Sequence, residues 1–178
     1  MNTFSEIDLD LLRLKPAKVV GKMGIRVMDI SYEDKPLVIA LRNVIIPFEP
    51  SVYNGTGAET RKGIVFSIDS AELAGFQHIE QVCQERMDKP GLWASSTKPE
   101  GTHSASLKAK VLLPGTHFFD VEGGQTDPPE SWRRLKVNAA LKIKAVYQTK
   151  QCSGLMIEAY AIQYDPQDTA EPTIACPF

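Results

Sequence analysis

The chain has 178 residues, 43% of them hydrophobic and 24% charged, with a formal net charge of −2 at pH 7. That length fits one domain, and that apolar share supports a packed core and excludes a disordered chain. No apolar run approaches the roughly 18–20 residues of a membrane span, and a near-neutral total argues against nucleic acid as a partner if the charge is evenly spread.

The first fifteen residues, MNTFSEIDLDLLRLK, mix acidic and apolar side chains and lack the basic start and apolar stretch of a secretory signal. Residues 17–32 are β-rich, and Gly21 and Gly24 predict a bend or bulge within them. Residues 36–46 read as a second strand, apolar on both faces and so expected to be central and buried, with Pro47 and Pro50 ending it. A glycine-rich loop spans 51–60. Residues 61–69 form a third strand in which Ile64, Phe66 and Ile68 alternate onto one face.

One helix follows. Asp69 or Ser70 serves as N-cap, and Glu72 stands where a capping box requires it. Leu73, Phe76, Ile79, Val82, Cys83 and Met87 fall on one helical face, with Gln77, His78, Gln81 and Arg86 on the other. Lys89, Pro90 and Gly91 stop the helix. After a loop over 88–104, residues 105–114 alternate again, and Phe118, Phe119 and Val121 make a short strand. Beyond the turn-forming GGQTDPPES comes a long strand, 133–150, joined by a turn at 151–154 to a strand at 155–164, which together read as a hairpin. Residues 165–178 have no periodicity and no basic residue, and form a flexible tail on a domain of residues 1–164.

The order of elements is mainly β. It predicts an OB-fold-like five-stranded Greek-key barrel with an inserted helix between its third and fourth strands and with long loops. A two-sheet jelly roll is the competing architecture. Cys83, Cys152 and Cys176 are an odd, widely spaced set with neither a disulfide framework nor a zinc pattern, as expected of free thiols in a reducing, intracellular compartment.

The charge is not evenly spread. Residues 105–150 hold eight basic and four acidic residues; residues 151–178 hold no basic and four acidic; residues 1–104 hold twelve and fourteen. The total of −2 therefore conceals a basic segment followed by an acidic end. In the long strand the odd positions Leu135 to Tyr147 are apolar, and period-2 geometry sends Lys136, Lys142 and Lys144 to one solvated face; Lys108 and Lys110 do the same in the preceding strand. Such a ladder suits a phosphate backbone. It equally suits ordinary solubility and edge protection. Arg133 and Arg134 extend the basic run.

Single-stranded nucleic acid needs rings for stacking as well as cations. Trp93, Trp132, Tyr53 and Tyr147 lie in or beside loops and polar stretches, whereas Phe66 and Phe76 read as core. Aromatics in such settings also serve as lids on a core edge. At the end of the chain, Phe178 presents a ring and a carboxylate after Asp165, Asp168 and Glu171. A tail of that kind can dock into an apolar, basic pocket on a partner, or fold back and compete with DNA for the basic face. His78, His103 and His117 have no metal-ligand spacing, and GTGAETRKG fails the phosphate-loop pattern, so neither cofactor, metal nor catalysis is expected.

The order of features resembles the viral single-stranded DNA-binding proteins of the T7-phage type. KPLVIALRNVIIPFEPSVYN is similar to that family's buried strand, proline turn and exposed loop. RKGIVFSIDSAELAGFQHIEQVCQERM resembles its strand leading into a helix. SLKAKVLLPG, FFDVEGG and LKVNAALKIKAVYQTKQCSGLMIEAYAIQY resemble its closing strands and long hairpin. The resemblance spans roughly residues 17–165 and rests on element order. It implies an OB-fold, sequence-independent binding of single-stranded DNA, and a role in viral or phage replication, recombination or repair. It further implies contacts with replication proteins through an acidic tail ending in an aromatic residue, which Asp165, Asp168, Glu171 and Phe178 match, although this tail is short and weakly acidic. A homodimer is compatible with it. The alternatives are a structural β-sandwich of a virion or assembly protein, and a small barrel enzyme acting on nucleotides.

Overall fold

The structure is a computed structural model that describes residues 4–52, 60–101 and 104–169. The strands are β1 (Leu12–Leu14), β2 (Lys18–Val20), β3 (Ile25–Tyr32), β4 (Leu37–Ile46), β5 (Ser51–Val52), β6 (Arg61–Ser67), β7 (Leu92–Trp93), β8 (Thr97–Lys98), β9 (Ser106–Leu112), β10 (His117–Phe119), β11 (Leu135–Gln148) and β12 (Cys152–Tyr164). One α-helix, α1 (Ser70–Glu85), lies between β6 and β7.

The expected mainly β architecture is present. Its strands form one sheet rather than the two of a jelly roll, and the sheet's hydrogen-bonded path closes on itself. β4 pairs with β6 and β6 with β9, both antiparallel; β9 pairs with β12 in parallel; β12 and β11 are antiparallel, as are β11 and β4. Numbered along the chain, the five strands of this circuit run 1-2-3-5-4 in space. The helix therefore falls between the second and third of them, not the third and fourth as expected. The reason is that β3 stays outside the circuit. It pairs with β1, β2 and only the last turn-ward residues of β11, where Asp29 faces Ala145 and Arg26 faces Gln148.

Leu37, Ile39, Leu41, Ile64, Phe66, Leu107, Leu141 and Ile143 fill the interior. β4 is not buried on both faces as its composition suggested. Arg42 and Asn43 are both exposed, Asn43 has φ +55°, and Ile45 beyond them is exposed. The irregularity lets Val44 and Ile46 rejoin the core after Leu41 at the cost of one phase of alternation. The glycines at 21 and 24 lie in the turn between β2 and β3 with φ near +70°, a region that only glycine enters freely. The short strand near 118 ends at Phe119, and Val121 lies exposed in the following turn.

The predicted capping box closes α1. Glu72 N donates to Asp69 Oδ1 at 2.7 Å and Asp69 N donates to Glu72 Oε2 at 3.0 Å. Phe76, Ile79 and Cys83 bury the apolar face, and burial pushes the Cys83 thiol up to about 12. The helix ends at Glu85, ahead of the Lys-Pro-Gly stop. Glu80, on the same side, is buried too, although its charge gave no warning of that.

Candidate nucleic-acid interface

The long strand β11 does not present one continuous ladder. Directly opposite residues share a face of the sheet, and Ile143 faces Ile157 while Ala145 faces Met156, so Lys144 is the extra residue of a β-bulge. Before the bulge, odd positions point inward: Val137, Leu141 and Ile143 are in the core. After it the phase changes. Val146, an even position, enters the core opposite Leu155, and Tyr147 turns outward opposite Gly154. Tyr147 could not have been on both the core face and the DNA face of a regular strand; the bulge settles it on the outer one.

Outside this part of the sheet lies a groove of about 770 Å³. One wall is Val20, Ile25 and Val27 of β2 and β3. The other is Arg61, Gly63 and Val65 of β6 with Lys108 and Lys110 of β9. Tyr147, Thr149 and Met156 line it from the β11–β12 hairpin, and Ser51 lies on the loop side. The groove exists because β9 and β12 touch at a single register point, Lys110 facing Glu158, and then diverge. Residues 92–98 fill the gap. β7 pairs with β12 and β8 with β9, and between them Ala94 N donates to Ser153 O at 2.7 Å and Lys108 N to Ser96 O at 2.8 Å.

The wedge is held from beneath by Glu80. This side chain is 4% exposed. Its Oε1 accepts from Ser96 N at 2.7 Å and Ser96 Oγ at 2.6 Å, and its Oε2 accepts from Ser95 Oγ at 2.7 Å. Ser95 and Ser96 themselves line the groove. Gly154 does a similar job on the other side: a Cβ there would lie 2.7 Å from Ala94 O and 2.8 Å from the Tyr147 hydroxyl. Glycine is what allows the tyrosine ring to lie across β12.

The cations are concentrated at one end. Lys110 sits opposite Gly63, with Arg61 two residues away on β6. Burial, then the neighbouring Arg61 charge, lowers the Lys110 pKa below the ordinary lysine value; Glu158 works against that and Lys144 adds to it. Lys144 Nζ lies 2.9 Å from Glu158 Oε1. Lys142 faces Glu158 across the strand pair, beside the groove rather than lining it. Arg61 is a groove cation that the sequence reading did not single out: alternation puts it on the face opposite Ile64 and Phe66, but only the pairing of β6 with β9 brings that face beside Lys108 and Lys110.

The remaining expected residues are scattered. Trp132, expected among the stacking rings, is instead 5% exposed and packs edge-on against Phe118 with ring centroids 5.7 Å apart, so it is a core residue. Its backbone N–H and those of its neighbours explain the placement. Trp132 N, Arg133 N and Ser131 Oγ all donate to Glu49 Oε1, at 2.9, 3.0 and 2.9 Å. Partial burial would raise the Glu49 pKa, but these donors outweigh it and hold the carboxyl below its usual value. Arg133, Arg134 and Lys136 are exposed at the start of β11, roughly 25 Å of strand from the groove cations. The single basic face expected from the lysine spacing is thus divided in two. Trp93 is half-buried against the core beside the wedge, and its indole Nε1 has no hydrogen-bond partner among the described residues. Tyr53, Glu171 and Phe178 lie outside the described residues, as does the Asp168 side chain; Asp165 begins the segment leading to a 3-10 turn at Pro166–Thr169.

No family model matches the chain, and no curated protein matches it. Among solved structures, the fold is similar to the crystal structure of gp2.5, a single-stranded DNA binding protein encoded by bacteriophage T7. The likeness has a TM-score of 0.54 at 9% sequence identity, and covers 80% of this chain and 100% of that chain. At that identity it is a likeness of fold.

Proposed function

We propose that the chain is a non-catalytic, sequence-independent single-stranded DNA-binding protein of phage or viral type, serving replication, recombination or repair. In this reading the closed five-strand circuit is an OB-type Greek-key barrel, and the groove is its DNA seat. The observation that carries it is the location of the groove. OB-folds bind oligonucleotides on their second and third strands, between the loops joining strands one to two and four to five. The groove cations Arg61, Lys108 and Lys110 stand on the second and third strands of the circuit, with Ser51 of the first loop and Thr149 of the last at the groove's margins. Tyr147 supplies a ring at its edge, worth about 1–3 kcal/mol if a base stacks on it. The fold likeness to a single-stranded DNA-binding protein supports the same reading.

Fluorescence anisotropy with labelled oligo-dT tests it. Three phosphate contacts give a slope of log K against log salt of about −2, at roughly 0.7 per contact on a single strand. Replacing Arg61, Lys108 and Lys110 by Gln together should remove most binding at low salt, whereas replacing Arg133 and Arg134 should not. Absence of binding by the unaltered protein at low salt sinks the reading. Residues 165–178, with Asp165, Asp168, Glu171 and Phe178, are proposed as a tail that competes with DNA and meets replication proteins. Its removal should raise affinity, and unchanged or weaker binding defeats the idea. An intracellular location and a homodimer belong to the same proposal, the latter to be read from sedimentation with and without DNA.

A further inference from the structure

Among the cations beside the groove sits one carboxylate. Glu158 faces Lys142 on β11 and Lys110 on β9 in register, and its Oε1 is 2.9 Å from Lys144 Nζ. Its side chain is 13% exposed, while that of Lys144, on the bulge, is 46% exposed. Asp29, the other acid whose charge reaches Lys144, is itself engaged by Lys18 at 2.8 Å. An acid placed this way faces three lysines that a bound strand would want.

We propose that Glu158 is a resident anion: its carboxylate stands beside the seat that a backbone phosphate takes among Lys110, Lys142 and Lys144, and so limits affinity by competing for them. The inference rests on the reading of the groove as a DNA seat. The physical reasoning is electrostatic. Before DNA arrives, Lys144 is already neutralised by Glu158, so on docking it displaces fewer of the cations condensed on the strand. When a phosphate arrives, Glu158 stays fixed on the sheet as a like charge beside it, while the exposed ammonium of Lys144 is free to turn outward. Glu158 therefore weakens binding and flattens its salt dependence, and it keeps the cation cluster paired when no strand is bound.

The experiment is an oligo-dT anisotropy titration at several salt concentrations, with thermal melts of every variant. Glu158→Gln keeps the side chain's shape and hydrogen-bonding reach. It should bind about five- to tenfold more tightly, the effect of removing one like charge a few ångströms from a phosphate at a partly wet site. Its salt slope should steepen by about 0.7 as Lys144 becomes a full contact. Glu130→Gln makes the same change of net charge in the exposed loop before β11 and should leave affinity within about twofold. Lys144→Gln leaves Glu158 unneutralised and should weaken binding more than Lys136→Gln does; the double variant Glu158→Gln/Lys144→Gln should return to near the unaltered affinity. Salt-sensitive binding by the unaltered protein, with Glu158→Gln no tighter or Glu130→Gln equally improved, overturns the resident anion alone. Absence of binding by every form, the unaltered protein included, overturns it together with the DNA seat.

Discussion

Glu80 is the residue whose loss should reach furthest. A carboxylate that is 4% exposed holds the 95–96 wedge through three short hydrogen bonds, two on Oε1 and one on Oε2. Bonds to a charged acceptor contribute about 1.5–3 kcal/mol each, and a buried donor left without a partner costs about 1–3 kcal/mol. Glu80→Ala removes all three. The Ser95 hydroxyl has Thr97 Oγ1 at 3.0 Å as an alternative, but Ser96 N has no second acceptor among the described residues. Set against the return of the charge's own burial cost, the expected net loss is about 2–4 kcal/mol. Glu80→Gln is the informative partner. Its amide oxygen can take both Ser96 donors, and its amide nitrogen can donate to Ser95 Oγ with that one bond reversed, so its cost should be about 1 kcal/mol. Urea unfolding measures both. With a slope of about 1–3 kcal/mol/M for a domain of this kind, the Ala variant shifts the midpoint by roughly 1–3 M and the Gln variant by much less. Because Ser95 and Ser96 line the groove, the Ala variant should also bind oligo-dT more weakly while still folded. Equal losses for Ala and Gln, or an Ala loss below about 1 kcal/mol, would refute the pinning role.

Three further outcomes are expected. Gly154→Ala puts a Cβ 2.7 Å from a backbone carbonyl and 2.8 Å from the Tyr147 hydroxyl, and should cost about 1–3 kcal/mol in a thermal or urea melt; Gly63→Ala crowds the rotatable Ser51 hydroxyl at 3.1 Å, with the Ser51 carbonyl at an ordinary 3.8 Å, and should cost less than about 1 kcal/mol. The Phe4 ring occupies the space over Gly75, where a Cβ would fall 2.2 Å from it. Gly75→Ala should therefore be nearly neutral, its helix-propensity gain of about 1 kcal/mol offset by loss of the Phe4 contact, and should become stabilising once Phe4 is already Ala. Lys110, with its pKa lowered by burial and Arg61, loses its charge at lower pH than an ordinary lysine. Oligo-dT binding should therefore weaken through the alkaline range in which it titrates, with proton uptake on binding, and Lys110→Gln should flatten that dependence. The stability sign is opposite: between its folded and unfolded values the unfolded chain holds more protons, so folded stability rises with pH there.

Local chemistry made much of this legible in the residues alone. The Asp69–Glu72 capping box, the alternation in 61–69 and 105–114 and the hairpin of the last two strands each depend on side chains within a few positions of one another, and each is present; the glycines at 21 and 24 mark a break in 17–32 that is a hairpin turn rather than a bend or bulge. So is the uneven charge that a total of −2 conceals. What only the tertiary structure decided depends on partners far apart in the chain. Parity along a strand assigns faces only while the ladder is unbroken. The bulge at Lys144 is visible solely in the pairing of β11 with β12, and it is what sends Val146 inward and Tyr147 to the groove. Trp132 beside two arginines reads as exposed until Glu49, more than eighty residues earlier, gathers its backbone and turns the ring onto Phe118. Glu80 reads as a solvated helix charge until the serines at 95 and 96 close over it. Closure of the circuit through the single Lys110–Glu158 register point opens the groove, and with it sets Arg61, two lysines and one carboxylate within reach of each other. Burial and cross-strand pairing are properties of the closed sheet, so no window along the chain contains them.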